Sequence, residues 1–352
     1  MAQAHGGLDA VELRALGLVA REVLDFSASV HPLGPPRGVR RAMARVDVAA
    51  YPDRRCTALR EALAARTGVA TEMVLPGNGA TELIYLLARG LLAPGKLGLI
   101  FGPTFGEYGA ACVAVGARVA EVRAEEQAGF AWDAGKAIEA VRRERPSLVF
   151  LCNPNNPTGT VVTRRFVEGI ADVVGDAGAL VLDEAFAPFS DAPWDATPLL
   201  KRGNVALLRS MTKDYGLAGV RLGYLLGTPK LIATVAAQQP SWSVSGLAQT
   251  AGIAALADET HVAKGRAVVR RCKAYLVRAL EELGYDVTPS QANFLLVRVG
   301  GAGAMRQALL RRGMAVRDCT SFGLPEHIRI GVRRLGECRR LIAAMREVQR
   351  DG

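Results

Sequence analysis

The sequence predicts an α/β protein with a mostly parallel central sheet in a large domain and a smaller α+β domain at the C-terminal end. Short apolar runs at 97–101, 117–122, 148–152, 179–182, 205–209 and 222–227 have the length of buried strands. Stretches of helical spacing fall between them, for example 56–67, 79–92 and 164–175, the alternation that right-handed crossovers leave in a sequence. After about residue 240 the pattern changes to long helical stretches through 283, strands near 293–299, 314–317 and 327–332, and a closing helix. A chain of 352 residues is long enough for two domains. The division expected is an N-terminal arm over 1–35, a large domain over 36–240 and a small domain over 241–352 that the arm completes.

Ligands of open α/β sheets bind beyond the carboxyl ends of strands, so the polar residues there matter most. Gly77-x-Gly79 opens the helix at 79–92, and free N–H groups at a helix start favour an anion. As a dinucleotide signal it is weak, because Glu82 stands where a third glycine would. The strand 148–152 ends in the rigid turn Asn153-Pro-Asn-Asn-Pro-Thr-Gly159, where Asn156 offers an amide donor to a phenolate-type oxygen. The strand 179–182 ends at Asp183, a carboxylate able to pair with a protonated pyridine nitrogen. The run Ser210-Met-Thr-Lys-Asp-Tyr-Gly-Leu-Ala-Gly-Val-Arg-Leu-Gly-Tyr224 follows the next strand. In it the amine of Lys213 can form a Schiff base with a carbonyl, while Ser210, Thr212 and Arg221 suit a phosphate monoester. Aldehyde and phosphate together describe pyridoxal 5′-phosphate (PLP).

Each residue has a plainer reading when taken alone. Asp183 could be a helix cap and Lys213 a surface lysine beside a glycine-rich loop. Ser210-x-x-Lys213 also fits the serine-nucleophile motif of β-lactamases, but its Ser-Asp-Asn and Lys-Thr-Gly companions are absent. Strand–Asn, strand–Asp and strand–Lys–Arg in that order favour the cofactor site.

Bulk properties narrow the class further. The formal net charge is +10, carried by dispersed arginines and short doublets such as Arg142-Arg143, so solvated faces and anion sites are expected and no nucleic-acid partner. The six cysteines (Cys56, Cys112, Cys152, Cys272, Cys319, Cys338) form no Cys-x-x-Cys or Cys/His cluster. Reduced thiols in a cytoplasmic protein without zinc are the expectation. No apolar stretch reaches transmembrane length and no signal pattern opens the chain, so no membrane partner is expected.

Asn-Pro-Asn-Asn-Pro-Thr-Gly, Asp-Glu-Ala-Phe and Ser-x-Thr-Lys-x-Tyr-x-x-x-Gly-x-Arg-x-Gly together resemble the class I/II aminotransferase superfamily of fold-type I PLP enzymes, over nearly the whole chain. The resemblance implies Lys213 as the Schiff-base lysine, Asp183 as the pyridine-nitrogen partner and Asn156 as ligand of the ring oxygen. It implies Gly79, Ala80 and Thr81 as the phosphate-cup turn, with Ser210, Thr212 and Arg221 completing the cup. In Gly102-Pro-Thr-Phe-Gly-Glu-Tyr108 it implies that Tyr108 stacks on the pyridine ring. In Tyr51-Pro-Asp53 it implies that Tyr51 reaches the cofactor phosphate of a partner copy, hence a homodimer with shared active sites.

The arm narrows the branch. His5-Gly-Gly7, Leu24-Asp-Phe-Ser-Ala28 and His31-Pro-Leu-Gly-Pro-Pro36 resemble threonine-phosphate decarboxylases of cobalamin synthesis and histidinol-phosphate aminotransferases. Arg317-Asp-Cys319 and His327-Ile-Arg329 are similar to that branch too, and the resemblance implies Arg317 and Arg329 as holders of the substrate carboxylate, with His5 and His31 as further substrate contacts. Phe186 favours the decarboxylase, since aminotransferases usually carry a tyrosine there. Ser29-Val-His31-Pro32 replaces the Asn-x-Asn-Pro usual in both groups, and Asp214 replaces an apolar residue usual in the decarboxylases. Both differences weaken the decarboxylase match. The expectation taken forward is an aminotransferase resembling histidinol-phosphate aminotransferase, with O-phospho-amino acid decarboxylation as the alternative. A non-catalytic PLP-binding sensory module is the remote third reading, opposed by the complete Lys/Asp/Asn/Arg set.

Overall fold

The structure is a computed structural model that describes residues 6–351. Its strands, in chain order, are β1 (Leu24–Asp25), β2 (Val74–Asn78), β3 (Leu97–Gly102), β4 (Arg118–Arg123), β5 (Leu148–Cys152), β6 (Ala179–Asp183) and β7 (Val205–Ser210). They continue as β8 (Leu222–Leu226), β9 (Asp286–Thr288), β10 (Phe294–Arg298), β11 (Met314–Ala315), β12 (Arg317–Asp318) and β13 (His327–Gly331).

Seven strands form the large sheet in the order β2-β8-β7-β6-β5-β3-β4. From β4 to β7 the pairing is parallel, whereas β8 runs antiparallel to both β7 and β2. The central strands are apolar on both faces because both faces are covered. Val149, Leu151, Leu180, Leu182 and Leu207 pack toward helices Thr57–Thr67, Arg164–Val174 and Gly246–Leu256. Phe150, Val181, Ala206 and Leu208 pack toward helices Gly79–Leu91 and Pro229–Ala236. β2 has no counterpart in the apolar runs, since its five residues include Pro76 and Gly77. It lies at the edge of the sheet, where a strand tolerates proline.

The second sheet is antiparallel, in the order β12-β13-β10-β9. Leu295, Val297, Ile328 and Ile330 form a core with Val269, Cys272 and Leu276 of helix His261–Glu281 and Leu341, Ile342 and Met345 of helix Leu335–Asp351. The arm enters this core: Phe26 is fully buried in it, β1 pairs parallel with β11, and the Gly331 N–H donates to the Phe26 carbonyl at 2.7 Å. The single strand expected at 314–317 is therefore two. β11 serves the arm and β12 serves β13, with Val316 as the joint.

Candidate active site

A cavity of about 440 Å³ opens at the carboxyl ends of β5, β6 and β7, and residues from both sheets and the arm line it. Lys213 lies on the single helical turn Met211–Asp214 that follows β7. Burial, with help from Arg329 and then Arg221, lowers its amine to about pKa 8 against the opposing pull of Asp183. The amine stands 5.9 Å from the centre of the Phe186 ring, which itself meets Phe294 edge-on.

Asp183 ends β6 with both carboxylate oxygens engaged. The Tyr108 hydroxyl donates to Oδ2 at 2.6 Å and the Ala185 N–H donates to Oδ1 at 2.9 Å. Burial raises the acid's pKa, and these two hydrogen bonds draw it back down. The Tyr108 phenol, buried beside this carboxylate, is held well above its ordinary pKa and stays a donor.

One end of the cavity is built for an anion. Ala80 and Thr81 line it from the first turn of helix Gly79–Leu91, where backbone N–H groups have no intrahelical acceptor. Ser210 Oγ and Thr212 Oγ1 lie 2.6 Å apart in one hydrogen bond, and Arg221 lines the same end. Gly79 has φ +78°, and a Cβ there would come within 2.7 Å of Arg221 Nη2. A Cβ at Gly223 would come within 2.6 Å of the Ala80 nitrogen. Only glycine permits these approaches. Amide donors, two hydroxyls and a guanidinium around one space fit a phosphate monoester.

A second wall carries two more guanidinium groups. Arg329 donates from Nη1 to Asn156 Oδ1 and from Nη2 to the Ser27 carbonyl at 2.8 Å. Its Nε has no partner among the described residues, and burial lowers its pKa to about 10. Since the Asn156 oxygen faces Arg329, its amide nitrogen remains as the donor. Arg317 donates to Ser321 Oγ at 2.6 Å and lies over the Phe322 ring. The other asparagines of the 153–159 turn serve the backbone. Asn153 Oδ1 accepts from Val162 N, and Asn155 Nδ2 donates to the Pro103 carbonyl. The Asn153–Pro154, Asn156–Pro157 and Gly102–Pro103 bonds are cis.

Lys213, Asp183, Asn156, Ala80, Thr81, Phe186, Ser210, Thr212, Arg221, Arg317 and Arg329 thus surround one cavity, with Gly79 behind the anion end. The remaining expected residues divide between the cavity and places away from it. Tyr108 also lines the cavity, buried, lying flat on Phe150 at 4.9 Å and presenting its hydroxyl to Asp183. Phe105, half-buried, lines the cavity from the same loop. His31 is not in the cavity. It stacks on His261 at 4.0 Å beneath the arm, and burial lowers its pKa to about 4, so it is a neutral packing residue. Tyr51 lies on the surface, 82% exposed and against Trp242, away from this chain's own cavity. His5 lies outside the described residues.

Sequence reasoning missed the arm's contribution at Gly6, Ser27, Ala28 and Ser29, and also Ser321 and Phe322. Ser29 Oγ is buried without a partner among the described residues. Its place in the Ser29-Val-His31-Pro32 stretch was the available signal. Among the described residues no cluster of three or more His, Cys, Asp or Glu could hold a metal ion, and no helix is long and apolar enough to cross a membrane.

The chain matches the family model of aminotransferase class I and II over residues 21–345. A histidinol-phosphate aminotransferase of Symbiobacterium thermophilum is 39% identical over 345 residues, covering 96% of this chain and 93% of that protein. The structure of histidinol-phosphate aminotransferase from Sinorhizobium meliloti in complex with pyridoxal-5′-phosphate is similar with a TM-score of 0.85 at 27% identity, covering 96% of this chain and 94% of that one. L-Threonine-O-3-phosphate decarboxylase from Porphyromonas gingivalis is similar with a TM-score of 0.81 at 27% identity, covering 92% of this chain and 99% of that one. The chain belongs to the class I and II aminotransferase family. It is an enzyme of the PLP-dependent aminotransferase class with the fold-type I architecture.

Proposed function

We propose that this aminotransferase acts on a phosphorylated amino compound of the histidinol phosphate type, with PLP held by Lys213. The observation that carries the reading is the arrangement of charge around the Lys213 amine. Arg329 on the second wall and Arg221 at the anion end each lower its pKa, so an amine more easily deprotonated than an ordinary lysine faces two anion sites at once. The hydroxyl–amide–Arg221 cup would hold the cofactor phosphate, and Arg329 the carboxylate of an amino-acid or oxo-acid partner. Arg317 with Ser321 would hold the distal anion of the substrate.

When bound, PLP supplies an aldehyde for amine exchange and a ring that accepts negative charge from Cα. Asp183 would keep a proton on the ring nitrogen, and Asn156 would donate to the ring oxygen. Phe105 would cover one ring face. Lys213, uncharged in half of the molecules near pH 8, would move the proton at Cα. We further infer a homodimer in which Tyr51 serves the partner copy's phosphate cup, supported by its exposure beside Trp242. The cytoplasm is the proposed setting, supported by six buried free cysteines.

The test is a substrate panel of histidinol phosphate, O-phosphothreonine, O-phosphoserine and aromatic amino acids. Borohydride should trap the cofactor on the Lys213 peptide. Histidinol phosphate should yield pyridoxamine phosphate without an oxo-acid acceptor. Decarboxylation is favoured by one feature, the absence of a phenol at Phe186. Steady CO₂ release from O-phosphothreonine, with no pyridoxamine phosphate, would assign the chain to that reaction instead.

A further inference from the structure

We propose that Glu82 is a positioning residue for the anion cup, locking the turn before helix Gly79–Leu91 and fastening it to the segment 239–243. The proposal rests on the reading that this cup takes the cofactor phosphate. Glu82 stands in the first turn of the helix, where a carboxylate ordinarily accepts from the free N–H groups or competes with an anion for the helix dipole. Here it turns back onto the N-cap residue and onto a neighbouring segment, away from Ala80 and Thr81. Oε2 reaches back to accept from the Asn78 N–H at 2.7 Å and from Gln239 Nε2 at 3.3 Å. Oε1 accepts from the Ser243 hydroxyl. Both oxygens are thus engaged behind the cup, leaving the Ala80 and Thr81 backbone to the cavity.

The brace acts on both halves of the cup. Asn78 lies opposite Leu222 in the β2–β8 register, so the backbone that Glu82 grips faces the residue next to Arg221. Gln239 Nε2 also donates to the Pro76 carbonyl at 3.0 Å, gripping the same strand one pleat earlier. Gly77 admits this packing, because a Cβ there would meet Leu83 at 2.6 Å and Glu82 Oε2 at 3.1 Å. Next to Ser243, Trp242 packs at a tilt on the exposed Tyr51, with ring centres 4.8 Å apart. Glu82 does not line the cavity. Its effect on a bound phosphate passes entirely through the turn.

The experiment measures dissociation constants of PLP and of pyridoxal, which lacks the phosphate, on the full-length protein stripped of cofactor. Glu82→Ala should weaken PLP by about tenfold or more and pyridoxal by less than about twofold. Glu82→Gln keeps an acceptor for the Asn78 N–H and should bind PLP within about threefold of wild type. Glu82→Ala binding PLP as wild type does, or weakening both ligands equally, would overturn the proposal, the second outcome marking a general structural role. Should Glu82→Ala fail to fold, Ser243→Ala combined with Gln239→Leu removes two of its donors. Selective loss of PLP in that variant supports the brace, and no loss overturns it. A wild-type protein that does not take PLP on Lys213 would instead remove the functional reading beneath it.

Discussion

Replacing Tyr108 with phenylalanine removes one oxygen and little else. The ring should stay flat on Phe150 and edge-on to Phe105, so packing is retained. Asp183, only 5% exposed, loses the donor to its Oδ2. A hydrogen bond to a charged group contributes about 1.5–3 kcal/mol, and about 1.4 kcal/mol is tenfold in rate, so kcat/KM should fall about 10- to 100-fold. The direction with pH follows from the cause. The phenol lowers the pKa of Asp183, so without it the carboxyl protonates at higher pH, and the acid limb of the kcat/KM profile moves upward. The assay is steady-state transamination of histidinol phosphate across pH, with thermal melting as a folding control. A variant within twofold of wild type, with its acid limb unmoved, would refute the view that Tyr108 sustains the charge on Asp183.

Other expectations are as direct. Lys213 has a folded pKa below its unfolded value, so its neutral amine is fully available only above about 8; the rate of PLP capture by the stripped protein should rise through that pH and level off. Arg329→Ala should raise KM for the carboxylate partner strongly and move that midpoint upward, since a neighbouring cation is gone. Gly79→Ala should lower PLP affinity, because the new Cβ meets Arg221 Nη2 at 2.7 Å in a backbone conformation with φ +78°; cofactor titration reads it. Gly265→Ala drives a Cβ to 1.9 Å from His31 Nε2 and should cost about 1–3 kcal/mol of stability by chemical denaturation while leaving KM unchanged, the signature of a packing histidine.

The sheet was readable where strands are buried on both faces, as at β5, β6 and β7, because continuous apolar runs have few other uses. It was not readable at β2, where an edge position tolerates Pro76. Asn156, Asp183 and Lys213 were legible because each lies at or just beyond the carboxyl end of a strand. The aromatics were not. Phe105 and Tyr108 share one loop motif, and nothing in it tells that Phe105 stays half-buried while Tyr108, inside helix Glu107–Ala114, lies flat on Phe150. His31 was misread for a related reason. Its socket is the bare backbone of Gly265, more than two hundred residues away, and nothing near His31 announces it.

The Ser27 carbonyl that receives Arg329 has a consequence for variation in this chain. A side-chain partner can be deleted by one codon change, but a main-chain oxygen persists whatever residue carries it. The orientation of the guanidinium is therefore inherited through the route of the arm, fixed by Phe26 in the small core and by the bond to Gly331. The side chains of 28 and 29 can vary while this anchor of Arg329 stays in place. A substitution that lets the arm drift, such as a polar residue at Phe26, would disable that anchor without touching a single residue of it.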